Sequence, residues 1–215
     1  MKKLLLGLLT LCMIISLVGC TNKESATENN ESETVVETKD KKILVVYFSR
    51  AGEQYSVGVV EKGNTSIVAE MIAENTNADL FEIVPADDHY SVTYEELTEI
   101  AKNEQAENAR IQYQGNVDNL SDYDVIFIGS PVWWSDYPMI MYTFLENNAE
   151  SLANKTLIPF STHAGSGLAG FDGILKNQFE NANILQGLAI RGEDAQNNQD
   201  DVLNTVKEWL SGLNY

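Results

Sequence analysis

The segment after the first predicted strand carries residue types that can bind a phosphate group. They are Ser49, Arg50, Gly63, Asn64 and Thr65, and the last two begin a predicted helix. Hydroxyl groups, backbone amides freed by glycine and a helix N-terminus together hold a phosphate monoester, and an arginine adds a cation. The segment therefore predicts a phosphate site. An ordinary turn with Thr65 as helix N-cap is the alternative interpretation.

Two adjacent tryptophans follow the third predicted strand. Trp133 and Trp134 come after Pro131 and Val132, and Pro138 follows four residues later. Indole rings pack on flat conjugated rings, and prolines stiffen the backbone that carries them. The pattern favours a preformed wall for such a ring, and coverage of the end of the sheet is the simpler alternative.

A glycine-rich loop follows the fourth predicted strand. It contains Thr162, His163, Gly165, Ser166 and Gly167. Glycine lets main-chain groups approach a ligand closely, so backbone amides of this loop can bond to ring heteroatoms. For His163 a polar capping role and a role as catalytic acid both remain open.

The elements that position these loops alternate between short apolar runs and longer amphipathic stretches. Parallel strands joined by crossover helices have this pattern. The predicted strands are Ile43 to Phe48, Asp79 to Val84, Asp124 to Gly129, Thr156 to Ser161 and Ile184 to Ile190. The predicted helices are Thr65 to Asn75, Thr93 to Ala109, Pro138 to Asn147, Leu168 to Asn181 and Asn197 to Leu210. We predict an α/β three-layer sandwich with a five-stranded parallel sheet in the order 2-1-3-4-5, whose carboxyl edge gathers the three loops.

The composition excludes several classes of function. The chain of 215 residues carries a formal charge of -18, and eight basic and 26 acidic residues lie from Ile43 onward. Binding to nucleic acid depends on lysine and arginine, so a nucleic-acid partner is excluded. Both cysteines, Cys12 and Cys20, fall in the first twenty residues, so the predicted domain has no disulfide or thiol nucleophile. With two histidines in the chain, we expect no metal site.

The chain lacks a sequence feature that each of three other functional classes requires. The run Gly58 to Thr65 approaches the P-loop pattern, but Asn64 replaces the phosphate-binding lysine. A phosphoacceptor receiver needs acidic residues at its strand ends, where this chain has Ser49 and Ser130. No G-x-S-x-G elbow surrounds Ser166, so a hydrolase nucleophile is not supported.

Together the three loops resemble those of the flavodoxin family, and the resemblance covers Ile43 to Tyr215. It implies a flavodoxin-like fold and noncovalently bound FMN. By motif match, the residues implied to hold the phosphate are Ser49, Arg50, Asn64 and Thr65. Those implied to surround the isoalloxazine are Pro131, Val132, Trp133, Trp134, Thr162, His163, Gly165, Ser166 and Gly167. Unlike the compact family loop, this one has Ala51 at a hydroxyl position and an insertion from Glu53 to Gly63, whose Tyr55 we expect to reach over the ligand.

The first forty-two residues indicate export. Lys2 and Lys3 precede an apolar run of fifteen residues, Leu4 to Val18, which is shorter than the roughly 20 that span a bilayer. Gly19-Cys20 follows the run, and the segment resembles a lipoprotein signal, which implies that lipidated Cys20 anchors the chain to the membrane outside the cytoplasm. An ordinary secretory signal or an uncleaved anchor are the alternatives. We predict a signal peptide over residues 1–20, a solvated tether over 21–42 and the domain over 43–215.

Two functional classes follow from a bound flavin. An electron carrier would pass electrons to a redox partner protein, whereas an enzyme would use NAD(P)H to reduce a quinone-like acceptor. The sequence shows no second nucleotide site, which favours the carrier. A lipoprotein that binds flavin without taking part in electron transfer is a third alternative. The acidic domain predicts a low reduction potential, because reduced FMN carries negative charge.

Overall fold

The computed structural model describes residues 41–215, so the predicted signal peptide, Cys20 and all of the predicted tether except Lys41 and Lys42 lie outside this range. One six-stranded sheet forms its centre, and every strand pair in it is parallel. In chain-order numbering its strands are β1 (Ile43–Tyr47), β4 (Asp79–Glu82), β5 (Val125–Pro131), β6 (Thr156–His163), β7 (Asn183–Ile184) and β8 (Leu188–Arg191). The order β4-β1-β5-β6, with β7 and β8 both beside β6, confirms the predicted order.

The fifth predicted strand, Ile184 to Ile190, is interrupted in the structure. β7 pairs with Thr156 and Leu157 of β6, and β8 pairs with β6 from Phe160 onward. Pro159 lies between these two pairings and has no N–H to donate to a neighbouring strand. The missing donor explains the break between β7 and β8.

Helices cover both faces of the sheet, as predicted for a three-layer sandwich. They are α1 (Asn64–Thr76), α2 (Tyr94–Ala106), α3 (Met139–Asn147), α4 (Ala149–Leu152), α5 (Phe171–Gln178), α6 (Gly192–Asn197) and α7 (Gln199–Gly212), with a 3₁₀ turn at Leu120–Asp122. Alternate residues of β1 enter opposite cores: Leu44 and Val46 face one, Val45 and Tyr47 the other. No helix within residues 41–215 has the length and apolar character of a membrane span.

The last two predicted helices begin two to three residues later in the structure than the sequence predicts. The helix predicted from Leu168 begins at Phe171 because Ala169 and Gly170 both have positive φ, at 51° and 76°. The helix predicted from Asn197 corresponds to α7. A break at Asn198 separates it from α6, which begins immediately after β8.

The insertion after β1 folds as an antiparallel hairpin of β2 (Gly52–Gln54) and β3 (Gly58–Val60). Two hydrogen bonds attach it to the start of α2: Glu53 N–H donates to the carbonyl of Val92 at 2.8 Å, and Tyr94 N–H donates to Glu53 Oε2 at 2.8 Å. Gly52 has a φ of 95°, and a Cβ there would lie 2.9 Å from the Val92 carbonyl oxygen. The insertion is therefore a fixed wall beside α2.

Candidate functional site

A cavity of about 430 Å³ lies where the loops after β1, β5 and β6 meet, with the hairpin and α2 as its outer wall. This volume falls in the range of small-molecule sites. Seven predicted site residues line it: Asn64, Pro131, Val132, Trp133, Trp134, Thr162 and His163. The structure thus brings together residues from all three sequence segments.

The outer wall contains residues that the sequence did not single out. Its members are Glu53, Gln54, Tyr94, Leu97, Thr98, Glu99 and Ala101, together with Tyr55, which was expected over the ligand. The Tyr55 and Tyr94 rings lie 5.5 Å apart, and both side chains are exposed. Ala164 and Gly192 complete the lining. The amphipathic pattern of α2 was the available signal, but it does not tell which loop the helix faces.

Behind the cavity, hydroxyl groups organise the start of α1. Ser49 Oγ accepts a hydrogen bond from the Ser66 backbone N–H at 3.0 Å. The buried Thr65 Oγ1 lies 2.7 Å from Thr162 Oγ1, which joins this helix to β6. Gly63 is the N-cap, so Thr65 does not have the capping role considered as an alternative. A Cβ on Gly63 would overlap Ser49 Oγ and the Arg50 carbonyl, so glycine permits the close approach of these two segments.

Asn64 is the α1 side chain that reaches the cavity, and its amide is fixed. Its Oδ1 accepts a hydrogen bond from Gln196 Nε2 at 2.8 Å, and the same Nε2 donates to the Lys62 carbonyl. On the other side, Gly192 leaves no room for a Cβ against the Asn64 amide. The orientation of Asn64 is therefore set before any ligand binds.

Arg50 was predicted to contribute a positive charge to the phosphate site, but its side chain binds a different loop. Its Nη1 donates to both carboxylate oxygens of Asp88 at 2.8 Å, and its Nη2 donates to the Tyr90 carbonyl at 2.9 Å. The side chain is 13% exposed and does not line the cavity. The charge of Arg50 is therefore compensated within the domain.

The two tryptophans are held in different ways. Trp133 packs edge-on against Phe48 at 5.4 Å and Tyr90 at 5.2 Å. Trp134 is 49% exposed, and its Nε1 donates to the Thr98 carbonyl at 2.9 Å. Trp134 and Ser135 have φ values of 50° and 62°, which matches the two central residues of a type I′ turn. Positive φ is uncommon for a bulky residue and is a form of strain that collects at functional sites.

The loop after β6 orients His163. The Gly165 N–H donates to His163 Nδ1 at 2.9 Å, so the neutral ring carries its hydrogen on Nε2. Burial and the nearby charge of Arg191 lower the pKa of His163, which keeps the ring neutral. Gly165, Ser166 and Gly167 do not line the cavity. Ser161 Oγ donates to the Gly167 carbonyl at 2.9 Å and ties the loop to β6.

Several solved structures share this fold. A candidate flavoprotein from Bacteroides eggerthii DSM 20697 is 28% identical, with a TM-score of 0.60 over 80% of this chain and 96% of its own. Another, from Bacteroides uniformis ATCC 8492, is 27% identical, with a TM-score of 0.60 over 80% and 99%. A flavoprotein from Lactobacillus acidophilus NCFM, solved in complex with FMN, is 22% identical, with a TM-score of 0.53 over 74% and 97%.

The family comparison covers nearly the whole described chain. No curated protein matches the sequence significantly. A family model described as flavodoxin matches residues 42–210, which include every element from β1 to most of α7 and all three cavity loops. On this match and on the strand order at whose carboxyl edge the cavity lies, the chain belongs to the flavodoxin family.

Proposed function

We propose that the domain binds FMN noncovalently and carries electrons outside the cytoplasm. The observation that carries this proposal is the cavity with an indole wall beside the start of α1, where hydroxyls and a glycine N-cap prepare a phosphate site. Membership of the flavodoxin family supports the same cofactor. Bound FMN supplies the redox chemistry, and the chain supplies its position and its electrostatic surroundings.

The residues of the site fit the parts of FMN. The N–H groups at the start of α1 and the Asn64 side chain hold the phosphate, and the buried hydroxyl contact between Thr65 and Thr162 holds the start of α1 in place against β6. Trp133 and Trp134 provide apolar surface for the ring, and the hydrogen bond from Trp134 to Thr98 fixes one edge of that wall. His163 offers an Nε2–H donor from a neutral ring. These groups bind and orient the cofactor, and none is arranged as a side-chain nucleophile.

A carrier fits the charge of the chain better than a nicotinamide-dependent reductase. NAD(P)H is an anion, and the chain carries a formal charge of -18. Two cavity residues, Glu53 and Glu99, add carboxylates to the mouth. Like charges at a mouth slow the entry of an anionic substrate. We therefore propose a redox partner protein, with a small neutral quinone-like molecule as the other acceptor class, and anchoring through lipidated Cys20 near membrane partners.

The acidic surroundings also set the proposed direction of electron flow. Negative charge near a reduced flavin disfavours its anionic form, so the potential lies below that of free FMN and rises as salt screens the repulsion. A redox titration at two ionic strengths tests this. A potential at or above that of free FMN, unchanged by salt, contradicts it.

The central test is a visible spectrum of the purified full chain and a titration with FMN. Thr65→Val keeps the side-chain shape but removes the hydroxyl beside Thr162, so we expect FMN to bind at least tenfold more weakly, by about 1.5 kcal/mol or more. Thr143→Val is the matched control, because the Thr143 hydroxyl is buried without a hydrogen-bond partner in the described chain and lies outside the cavity lining.

Each outcome of these experiments has a clear meaning. A colourless chain that shows no binding to excess FMN refutes the proposed function. Equal FMN affinity in both threonine variants refutes the role of the Thr65–Thr162 hydroxyl contact in positioning the phosphate site. For a chain that binds FMN, rapid turnover with NADH or NADPH and a soluble quinone supports the reductase instead of the carrier, and a flavin that dithionite does not reduce reversibly supports the non-redox alternative.

A further inference from the structure

Glu104, in the third turn of α2, is the one charged side chain among the buried residues of 41–215, with 7% of its surface exposed. A buried carboxylate needs partners for its oxygens. Both oxygens of Glu104 have one: Oε1 lies 2.6 Å from His89 Nε2, and Oε2 accepts a hydrogen bond from the Tyr90 hydroxyl at 3.1 Å. All of these groups lie outside the cavity lining.

Counting hydrogens shows that His89 and Glu104 share a proton. His89 Nδ1 lies 3.0 Å from the Asp87 carbonyl, which can only accept, so Nδ1 carries a hydrogen. The Nε2–Oε1 contact then needs a second hydrogen, held as imidazolium with carboxylate or as imidazole with carboxylic acid. Burial alone would lower the pKa of His89, but the Asp87 carbonyl and Glu104 outweigh it, and the pKa is raised.

The segment Asp87–Tyr90 connects this pair to both parts of the candidate flavin site. Asp88 and the Tyr90 carbonyl hold the guanidinium of Arg50, in the loop that starts the phosphate site. The Tyr90 ring packs edge-on against Trp133 at 5.2 Å, and the His89 ring lies 4.5 Å from the Tyr90 ring. A shift of His89 or Tyr90 is therefore transmitted to the indole wall and to Arg50.

We propose that His89 and Glu104 are positioning residues for the flavin site: their shared proton holds the segment Asp87–Tyr90 against Arg50 and Trp133, and its release weakens flavin binding. This inference rests on the proposed function. Removal of the proton leaves one ring hydrogen for two acceptors, so either the Nε2–Oε1 contact or the contact of Nδ1 with the Asp87 carbonyl is lost. FMN affinity is therefore highest where the pair is protonated and falls as pH rises. The other charged groups facing the pair are Asp87 and the ion pair of Asp88 with Arg50.

A histidine NMR titration of the full chain without FMN tests the pair directly. The chain has two histidines, His89 and His163, so two sets of ring signals are expected. His89 should keep hydrogens on both ring nitrogens to a higher pH than His163, whose pKa is lowered. Glu104→Gln should move the His89 titration to lower pH. A wild-type His89 that titrates at or below the pH of a free imidazole overturns the inference, whether or not the variant folds.

FMN affinity as a function of pH tests the coupling. As pH rises through the His89 titration measured by NMR, we expect the dissociation constant of the wild-type chain to rise about fivefold or more, and that of Glu104→Gln to stay nearly flat over the same pH range. Glu146→Gln is the control, because Glu146 is an exposed carboxylate paired with Arg110 and should keep the wild-type profile. Parallel profiles in Glu104→Gln and wild type overturn the coupling and leave the proposed function intact. A chain that binds no FMN at any pH refutes both.

Discussion

Gly192→Ala changes the orientation of Asn64 without touching the predicted FMN contacts of the tryptophan wall. Gly192 is the first residue of α6 and is buried against Asn64. A Cβ there would overlap the Asn64 amide nitrogen and lie 3.2 Å from its Cγ, so the amide must move. The backbone at Gly192 does not have positive φ, and alanine is therefore tolerated by the helix itself.

The size of the effect follows from what Asn64 loses. Moving its amide weakens the hydrogen bond from Gln196, which costs about 1 kcal/mol of folding free energy, while alanine in place of glycine in a helix returns up to about 1 kcal/mol. The net change in stability is near zero. A hydrogen bond to a charged phosphate contributes about 1.5–3 kcal/mol, so FMN should bind roughly 10- to 100-fold more weakly.

The assay is a fluorescence titration with FMN, paired with urea unfolding of the same preparations. Gly173→Ala in α5 is the matched control, because an added Cβ there has no neighbour within 4 Å. This control should keep wild-type affinity and gain about 0.5–1 kcal/mol of stability. Equal FMN affinity in the two variants would refute the assignment of Asn64 to the phosphate.

Three further substitutions test the packing around the site by urea unfolding. Tyr137→Phe should raise the unfolding free energy by about 1 kcal/mol, since the hydroxyl is buried without a partner in the described chain while its ring stacks on Phe171 at 3.5 Å; a loss of stability would reveal a partner. His163→Gln should flatten the fall in stability below about pH 6.5, because the folded chain binds this proton more weakly than the unfolded one; parallel curves would contradict it. Glu53→Ala should lower the unfolding free energy by about 1 kcal/mol, because the Tyr94 N–H loses its acceptor, and should speed hydrogen exchange at that amide; unchanged exchange would contradict this hydrogen bond.

The strand order was predictable because each inner strand is a short apolar run buried on both faces. Ile126 and Ile128 of β5 enter one core, and Val125 and Phe127 enter the other, so the run has no polar side. The split of the last strand was not predicted. It depends on Pro159 in the neighbouring strand β6. The sequence of the last strand alone does not show that its partner strand lacks a backbone N–H at that position.

The indole wall of the site was predictable, but the hydrogen-bond partner of Arg50 was not. Trp133 and Trp134 follow a strand directly, so the carboxyl-edge rule places them. The partner of Arg50 is Asp88, 38 residues away, and the domain offers 26 acidic residues without a local signal that selects one. The face of α2 that lines the cavity was missed for the same reason, since its partner loops are distant in sequence.

Charge pairing around the cavity leads to a final prediction about salt. Arg50 is paired with Asp88, Lys62 with Glu70 and Arg191 with Glu193. These cations are therefore compensated before a phosphate arrives, and neutral donors must hold it. The remaining long-range field comes from an acidic domain, which repels the phosphate dianion of FMN.

Raising the salt concentration screens that repulsion, because the Debye length shortens from about 30 Å at 0.01 M to about 8 Å at 0.15 M. FMN affinity should therefore rise with ionic strength, which is the opposite of a site built on cations. The dissociation constant of the full chain, measured at both salt concentrations, gives the sign directly. If affinity falls instead, Arg50 leaves Asp88 to bind the phosphate, and Arg50→Gln would then abolish the salt dependence.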